Sequence, residues 1–463
     1  MSESAQVIFA TAVFLITYAV IVSEIVHRTV VALVGASLMV STKILGLDQA
    51  VAAIDFNTVG LLVGMMIIVG ITRRTGIFEY LAIKAVKSSK GEPLKIIAAL
   101  SLITAVLSAL LDNVTSVLLI VPVTFAIAKQ LELNPVPFLI AEIISSNIGG
   151  AATLIGDPPN IMIGSATELG FMDFLINLLP VIIIIYILTI FCMQIIFRKQ
   201  LVSRPKLQDI IMKIDEKDQI KDAKLLNKCL VVLFITVLGF VLHQYIHLES
   251  SVIALSGASL LLLATGDDTE HSLQAVEWPV IFFFIGLFVV VGALEEVGVI
   301  ELMAKWSLAV TGGSMVPTAM LILWLSAIAS AFVDNIPFVA AMIPLIQEMG
   351  RLGGIADLNF LWWSLSLGAC LGGNGTVIGS SANVVVIGMA EKQELNISFI
   401  NYMKVAFPLM LLSILASTVY LLFWYLFNTM TNIAVTLGIA VILALIIKPL
   451  TKMLIKQKRV TDK

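Results

Sequence analysis

Apolar residues run along this chain in stretches longer than the core of a soluble domain requires. Positions 8–22, 171–197, 230–242 with its flanks and 405–427 hold few or no charged side chains. About 20 apolar residues carry a helix across the roughly 30 Å hydrocarbon core of a bilayer. In lipid the backbone must satisfy its own N–H and C=O groups, so these runs predict helices. Counted end to end, the pattern predicts crossings at 6–23, 29–46, 58–72 and 171–197, a re-entrant hairpin at 94–128 and a broken crossing at 138–165. It then predicts crossings at 229–247, 252–265, 279–294 and 402–428, a hairpin at 317–349, a broken crossing at 358–390 and a last helix near 432–447. The segment 75–89 carries Glu79, Lys84 and Lys87 within an amphipathic pattern and predicts a helix lying in the membrane interface.

The second set of elements repeats the first. "VALVGASLMV" at 31–40 returns as "IALSGASLLL" at 253–262, and "LDNVTSVLLIVP" at 111–122 as "VDNIPFVAAMIP" at 333–344, both 222 positions on. After one inserted residue, "GGAATLIGDPPN" at 149–160 returns as "GGNGTVIGSSAN" at 372–383. Such duplication is a common way of building transporters. Charge orients the halves. The stretch 73–95 holds Arg73, Arg74, Lys84, Lys87, Lys90 and Lys95, whereas 295–317 holds only Lys305 and begins with Glu295 and Glu296. Because basic loops stay in the cytoplasm, the two stretches face opposite sides and the repeats are inverted.

Composition agrees. Of 463 residues 59% are hydrophobic and 13% charged, about half the roughly 25% charged share of soluble domains. The expected fold is therefore an all-α polytopic membrane protein. It has two inverted-topology repeats, each of about five transmembrane helices plus one re-entrant hairpin and containing one discontinuous helix, with about 11 crossings in total. Repeat one spans 1–197, a polar cytoplasmic linker 198–228, repeat two 229–428, and a last helix with a basic cytoplasmic tail 429–463. The N-terminus lacks a basic segment and a cleavage motif, which predicts a retained first helix with the N-terminus outside and the C-terminus cytoplasmic, in a cell (inner) membrane. A net charge of -3 says little about partners in such a protein; a small ion or solute and the lipid bilayer are expected, and no nucleic acid. Cys192, Cys229 and Cys370 show no metal-site or disulfide spacing and read as buried small residues. His27, His243, His247 and His271 fall at helix ends or loops.

Two pairs of polar positions carry the candidate chemistry. Asp112 and Asn113, followed by Thr115, sit where the first hairpin turns, and Asp334 and Asn335 sit at the same place in the second. A charge at the bilayer centre costs about 2.5–3.5 kcal/mol or more, so such residues usually line a pathway. They also suit an N-cap, accepting N–H bonds of the next turn. The second pair comprises Asn147, Gly149, Gly150, Thr153, Gly156, Asp157, Pro158 and Asn160, and Cys370, Gly372, Gly373, Asn374, Gly375, Thr376, Gly379, Ser380 and Asn383. Glycine and proline at this density unwind a helix, exposing carbonyls that ligate Na+ and half-helix N-termini that favour an anion. Close glycine-mediated packing is the plainer reading of the same glycines. No Lys, Arg or His falls within these four segments, so an anion would have to be held by N–H groups, Asn side chains and co-bound cations. Buried carboxylates instead favour a cation, with Na+ near Asp112 and Asp334 as the expected bound species. An oxygen-ligated cation keeps a carboxylate charged, and without one it takes up a proton, so Na+ against H+ is a ready coupling. No other cofactor is expected.

The motifs "SALLDNVTSVLLIVPVT", "IAEIISSNIGGAATLIGDPPNIMI", "SAFVDNIPFVAAMIP" and "GACLGGNGTVIGSSANVV" resemble those of the ion transporter superfamily that includes arsenite pumps, sodium/proton antiporters of the NhaD type and citrate transporters. The resemblance runs from about residue 29 to 428 and is greatest to the P protein (pink-eyed dilution) branch. It implies a scaffold domain and a mobile transport domain moving as an elevator, usually in a homodimer. In dicarboxylate relatives a Ser-Asn-Thr motif at each tip helps form Na+ and substrate sites. By resemblance Asp112, Asn113 and Val114, and Asp334, Asn335 and Ile336, stand there, so a fixed anion replaces Ser and an apolar residue replaces Thr. That change argues against a carboxylate substrate. Cys370 stands where repeat one has Asn147; the arsenite pumps carry Asn there, which weakens arsenite.

The expected function is a secondary active ion transporter working by alternating access and coupled to Na+ or H+, most economically sodium/proton exchange. The alternative is an arsenite or other anion carrier, for citrate-like carboxylates or chloride. A channel is disfavoured because no filter ring repeats. The absence of HExxH, GxGD or a Ser-His pair in one membrane plane argues against an enzyme.

Overall fold

The computed structural model describes residues 2–23, 25–201, 215–266 and 269–427, with the single positions 212, 436 and 438. The expected last helix near 432–447, the basic tail and much of the linker lie outside the described residues. All regular structure among those residues is helical, and nine helices are long and apolar enough to cross a membrane.

Repeat one begins with α1 (Glu3–Ser23), α2 (Arg28–Ser41), the short α3 (Leu47–Ala52) and α4 (Phe56–Arg73). The crossing expected at 29–46 is shorter than its apolar pattern. The Thr42 hydroxyl donates to the Leu38 carbonyl at 2.6 Å and Lys43 turns into the left-handed region (φ 59°), which ends α2 at Ser41. Next come the amphipathic α5 (Ile77–Ser88), the hairpin α6 (Pro93–Leu110) and α7 (Asn113–Gln130), the broken pair α8 (Val136–Gly150) and α9 (Pro158–Ser165), and α10 (Phe171–Phe197).

Repeat two follows the same order. It comprises α11 (Ala223–Ile246), α12 (Ser250–Thr265), α13 (Thr269–Leu273), α14 (Trp278–Glu296), α15 (Val299–Thr311), the hairpin α16 (Met315–Phe332) and α17 (Asn335–Gly353), the broken pair α18 (Asn359–Gly372) and α19 (Ser381–Glu391), and α20 (Phe399–Leu426). Equivalence reaches single residues. Gly76 and Gly298, 222 apart, open α5 and α15 with φ of +80° and +77°, and Pro122 and Pro344 both lie inside the second hairpin helix.

The repeats interlock through two parallel pairs. α4 packs on α12, where a Cβ on Gly64 would meet the Ala254 backbone at 2.5 Å, and α2 packs on α14, where the Thr29 hydroxyl donates to the Pro279 carbonyl at 2.6 Å. Each hairpin packs on its own broken helix, α6 on α8 and α16 on α18. Glycine is required at these contacts: a Cβ on Gly149 would lie 2.1 Å from the Ala105 carbonyl oxygen, and one on Gly372 2.6 Å from that of Ala327. The described end of the linker does not stand free in solvent. A 3-10 turn, Glu216–Gln219, lies against α5, Lys87 pairs with Glu216 at 2.5 Å, and the Lys221 amide donates to the Thr75 carbonyl at 2.9 Å.

Candidate functional site between the hairpin tips

Each hairpin turns beside the break of its own repeat, and the local chemistry repeats with it. Asp112 caps α7 by accepting the Thr115 amide at 2.8 Å, and Asp334 caps α17 by accepting the Ile336 amide at 3.0 Å. Behind the tips, the Ser108 hydroxyl donates to the Ser146 carbonyl at 2.6 Å and the Ser330 hydroxyl to the Ala369 carbonyl at 2.7 Å. Thr153 donates to the Ala109 carbonyl at 2.5 Å, and Thr376 likewise to that of Ala331. Asn160 holds the first unwound stretch through the Thr153 carbonyl (2.9 Å), and Asn383 the second through the Gly373 and Thr376 carbonyls (2.7 and 2.8 Å).

Between the breaks lies a buried amide cluster. The Asn147 side chain donates to Oδ1 of Asn374 (2.9 Å) and of Asn383 (3.0 Å), while its own Oδ1 accepts Asn113 (3.0 Å) and the Ser380 hydroxyl (3.0 Å). An amide has two N–H donors and two acceptor lone pairs, so Asn147 is fully used. The pseudo-equivalent position is Cys370, which cannot replace four such bonds. Asn335 turns instead to the Asp157 carboxylate, its amide 3.3 and 3.4 Å from the two oxygens, and Cys370 lies against Asp157 and Asn160.

A cavity of about 30 Å³ lies where the two tips meet, lined among others by Arg28, Asp112, Asn113, Asp157, Pro158, Glu277, Asn335 and Ser380. That is room for about one or two waters. Of the positions singled out in the sequence, Asp112, Asn113, Asp157, Pro158, Asn335 and Ser380 face this space. Asp334 faces a second cavity of about 280 Å³ with His27, Arg28 and Ser381, and Thr115 lines a third of about 340 Å³ with Arg73, Arg74 and Glu277. Asn147, Thr153, Asn160, Cys370, Asn374, Thr376 and Asn383 lie behind, holding the walls. Gly149, Gly150, Gly156, Gly372, Gly373 and Gly379 serve close backbone approach, and Gly375 makes room for the Ala331 side chain: a Cβ on Gly156 would meet the Gly150 carbonyl oxygen at 2.6 Å, and one on Gly379 that of Gly373 at 2.7 Å.

Three residues beside the tips were not singled out in the sequence. Arg28, at the start of α2, pairs with Asp334 at 2.9 Å, so a cation reaches a tip from outside the four motifs. Ser381 donates to the same Asp334 oxygen at 2.8 Å. Glu277 precedes α14 as Asp55 precedes α4, 222 positions apart, and that offset was the signal that could have found it. Asp55 lies at the opposite end of its helix pair, accepting the Asn57 and Thr58 amides and the Ser165 hydroxyl, the last at 2.7 Å. Among the described residues no group of three or more His, Cys, Asp or Glu is arranged to hold a metal.

With this geometry in place, comparison with known proteins decides the class. Residues 18–368 match the Citrate transporter family, CitMHS. The chain belongs to that family. An uncharacterized transporter of Mycobacterium tuberculosis is 43% identical over 419 residues, 89% of this chain and 97% of its own. The human P protein is 36% identical over 506 residues, 91% of this chain and 60% of its own, in line with the resemblance carried by the four motifs. The Alcanivorax borkumensis YdaH transporter shares the fold, with a TM-score of 0.57 at 16% identity over 91% of this chain and 98% of its own. This CitMHS protein is thus a multi-pass integral membrane transporter and not an enzyme.

Proposed function

We propose that this CitMHS chain is a secondary active transporter of a small ion, coupled to Na+ or H+ through Asp112 and Asp334 and most economically a sodium/proton exchanger. One observation carries the reading: the cavity between the tips is water-sized and presents Asp112, Asp157 and Glu277 against one guanidinium, Arg28. An excess of carboxylate over cation in low dielectric favours a bound cation or proton. The oxygen donors available, carboxylates and Asn amides beside unwound backbone, suit Na+.

Alternating access follows from the inverted repeats. The two larger cavities lie at the end of the helix pairs that carries His27, Arg73 and Arg74. By the positive-inside rule that end is cytoplasmic, and this conformation is inward-open with Asp55 and Ser165 closing the far side. An elevator-like movement, a homodimer, a cell-membrane location and an external N-terminus belong to the same proposal. A second reading, an anion carrier for citrate-like carboxylates, arsenite or chloride, draws on Arg28 and the family's description. A cavity of about 30 Å³ admits no tricarboxylate in this conformation.

Flux in proteoliposomes under imposed Na+ and pH gradients separates these readings. Coupled cation flux is expected, and D112N or D334N is expected to reduce it at least tenfold without loss of folding. Citrate, arsenite or chloride uptake indifferent to both variants would favour the anion reading.

A further inference from the structure

The two tip carboxylates, equivalent in sequence, are not equivalent in the structure. Oδ2 of Asp334 accepts Nη1 of Arg28 at 2.9 Å and the Ser381 hydroxyl at 2.8 Å, while Nη1 also donates to Ser381 at 2.5 Å. The guanidinium lies 5.0 Å from the centre of the Phe283 ring. The first tip lacks the parts for such a pair: the equivalent of Arg28 is Ser250, in repeat two, and that of Ser381 is Pro158, in repeat one. Asp112 keeps its capping bond to Thr115 and is ion-paired with no described residue.

The pair also joins two bodies. Arg28 belongs to α2, which is held to α14 through Thr29 and Pro279. Asp334 and Ser381 belong to the second tip and break, which are held to the first break through the Asn147 cluster. Any movement of the tips past α2 separates Arg28 from Asp334. Both side chains are largely shielded, 26% and 12% exposed, and a carboxylate stranded in such a place needs another counter-charge.

We infer that Arg28 is a resident cation that competes with the incoming ion for the Asp334 carboxylate, so that Asp334 takes up a monovalent cation or a proton only as Arg28 withdraws. The inference rests on the cation-coupled reading above. Arg28 thereby acts as a specificity residue: it keeps the second tip filled while the first stays open to an ion. The cavity beside the pair gives the ion its approach.

The test uses the full chain purified in detergent. Thermal stability is followed as Na+ replaces choline at constant ionic strength, and separately as pH changes without Na+, so that the two sources of charge are distinguished. In R28Q the Na+ midpoint, or the proton midpoint, is expected to shift at least tenfold toward tighter binding. The double variant R28Q/D334N is expected to lose that added response and regain stability. It also accounts for titration of His27, Asp112, Asp157 and Glu277, which line the adjoining cavities. If R28Q does not fold in choline, rescue by Na+, by acid or by D334N is the same result read as folding, and no rescue overturns the inference. A wild-type chain that responds to Na+ or acid with a midpoint unchanged in R28Q overturns the inference and leaves the transporter reading standing. A wild-type chain indifferent to both overturns the coupling reading and this inference with it.

Discussion

At the scale of residues, Asn147 concentrates more of the site's bonding than any carboxylate. From the first break it satisfies partners on the first tip and on the second break, and each buried partner left without a bond costs about 1–3 kcal/mol. N147A is therefore expected to lower the melting temperature clearly and to abolish flux, checked by thermal unfolding and proteoliposome uptake; N147Q, which keeps an amide on a longer arm, should recover part of the stability. How far such residues were legible in the sequence depends on whether they repeat. Asp112 and Asp334 were visible because a charge interrupts an apolar run twice at one offset. Arg28 was not, since a single arginine at the start of a helix belongs to no repeat and its partner lies 306 positions away. Glu142 escaped for a related reason: it is fully buried in α8, held by the Thr124 hydroxyl at 2.5 Å, and repeat two has Leu365 in its place.

At the scale of elements, the long apolar runs marked most helices, and departures came where a local bond ended a run early. The α2 terminus is one case; the linker is another. Its composition reads as solvated chain, yet Glu216–Gln219 docks on α5, and the contact depends on Gly76, where a Cβ would meet the Gln219 carbonyl oxygen at 1.8 Å. Hydropathy does not carry that information, because the contact is made by backbone. The Lys87 ammonium beside Glu216 holds the Glu216 carboxyl below the usual glutamate range. A carboxyl whose pKa falls on folding stabilises the docked form above its unfolded value, about 4.3, and that contribution is lost as pH drops through the lower, folded value. Limited proteolysis at 198–228 is accordingly expected to speed up below about pH 4 in wild type, and in K87M to be faster already at pH 7.

At the scale of the molecule, inverted repeats make the chain its own comparison. Asp55 touches the far end of the first broken helix through Ser165, whereas its repeat partner Glu277 lines open space. A transporter that alternates has to open the Asp55 side. A double cysteine variant, D55C with S165C in a background lacking Cys192, Cys229 and Cys370, is expected to cross-link under oxidation and to stop transport, with recovery on reduction; unimpaired flux in the cross-linked protein would argue against alternation at this contact. The size of the cavity between the tips bears on selection in another way. On the proposed reading, an ion held in a space of about 30 Å³ would shed its hydration shell on entry. Every oxygen around the occupant is then one the protein has substituted for water, and the ranking of ions is set by what each gives up on leaving solvent.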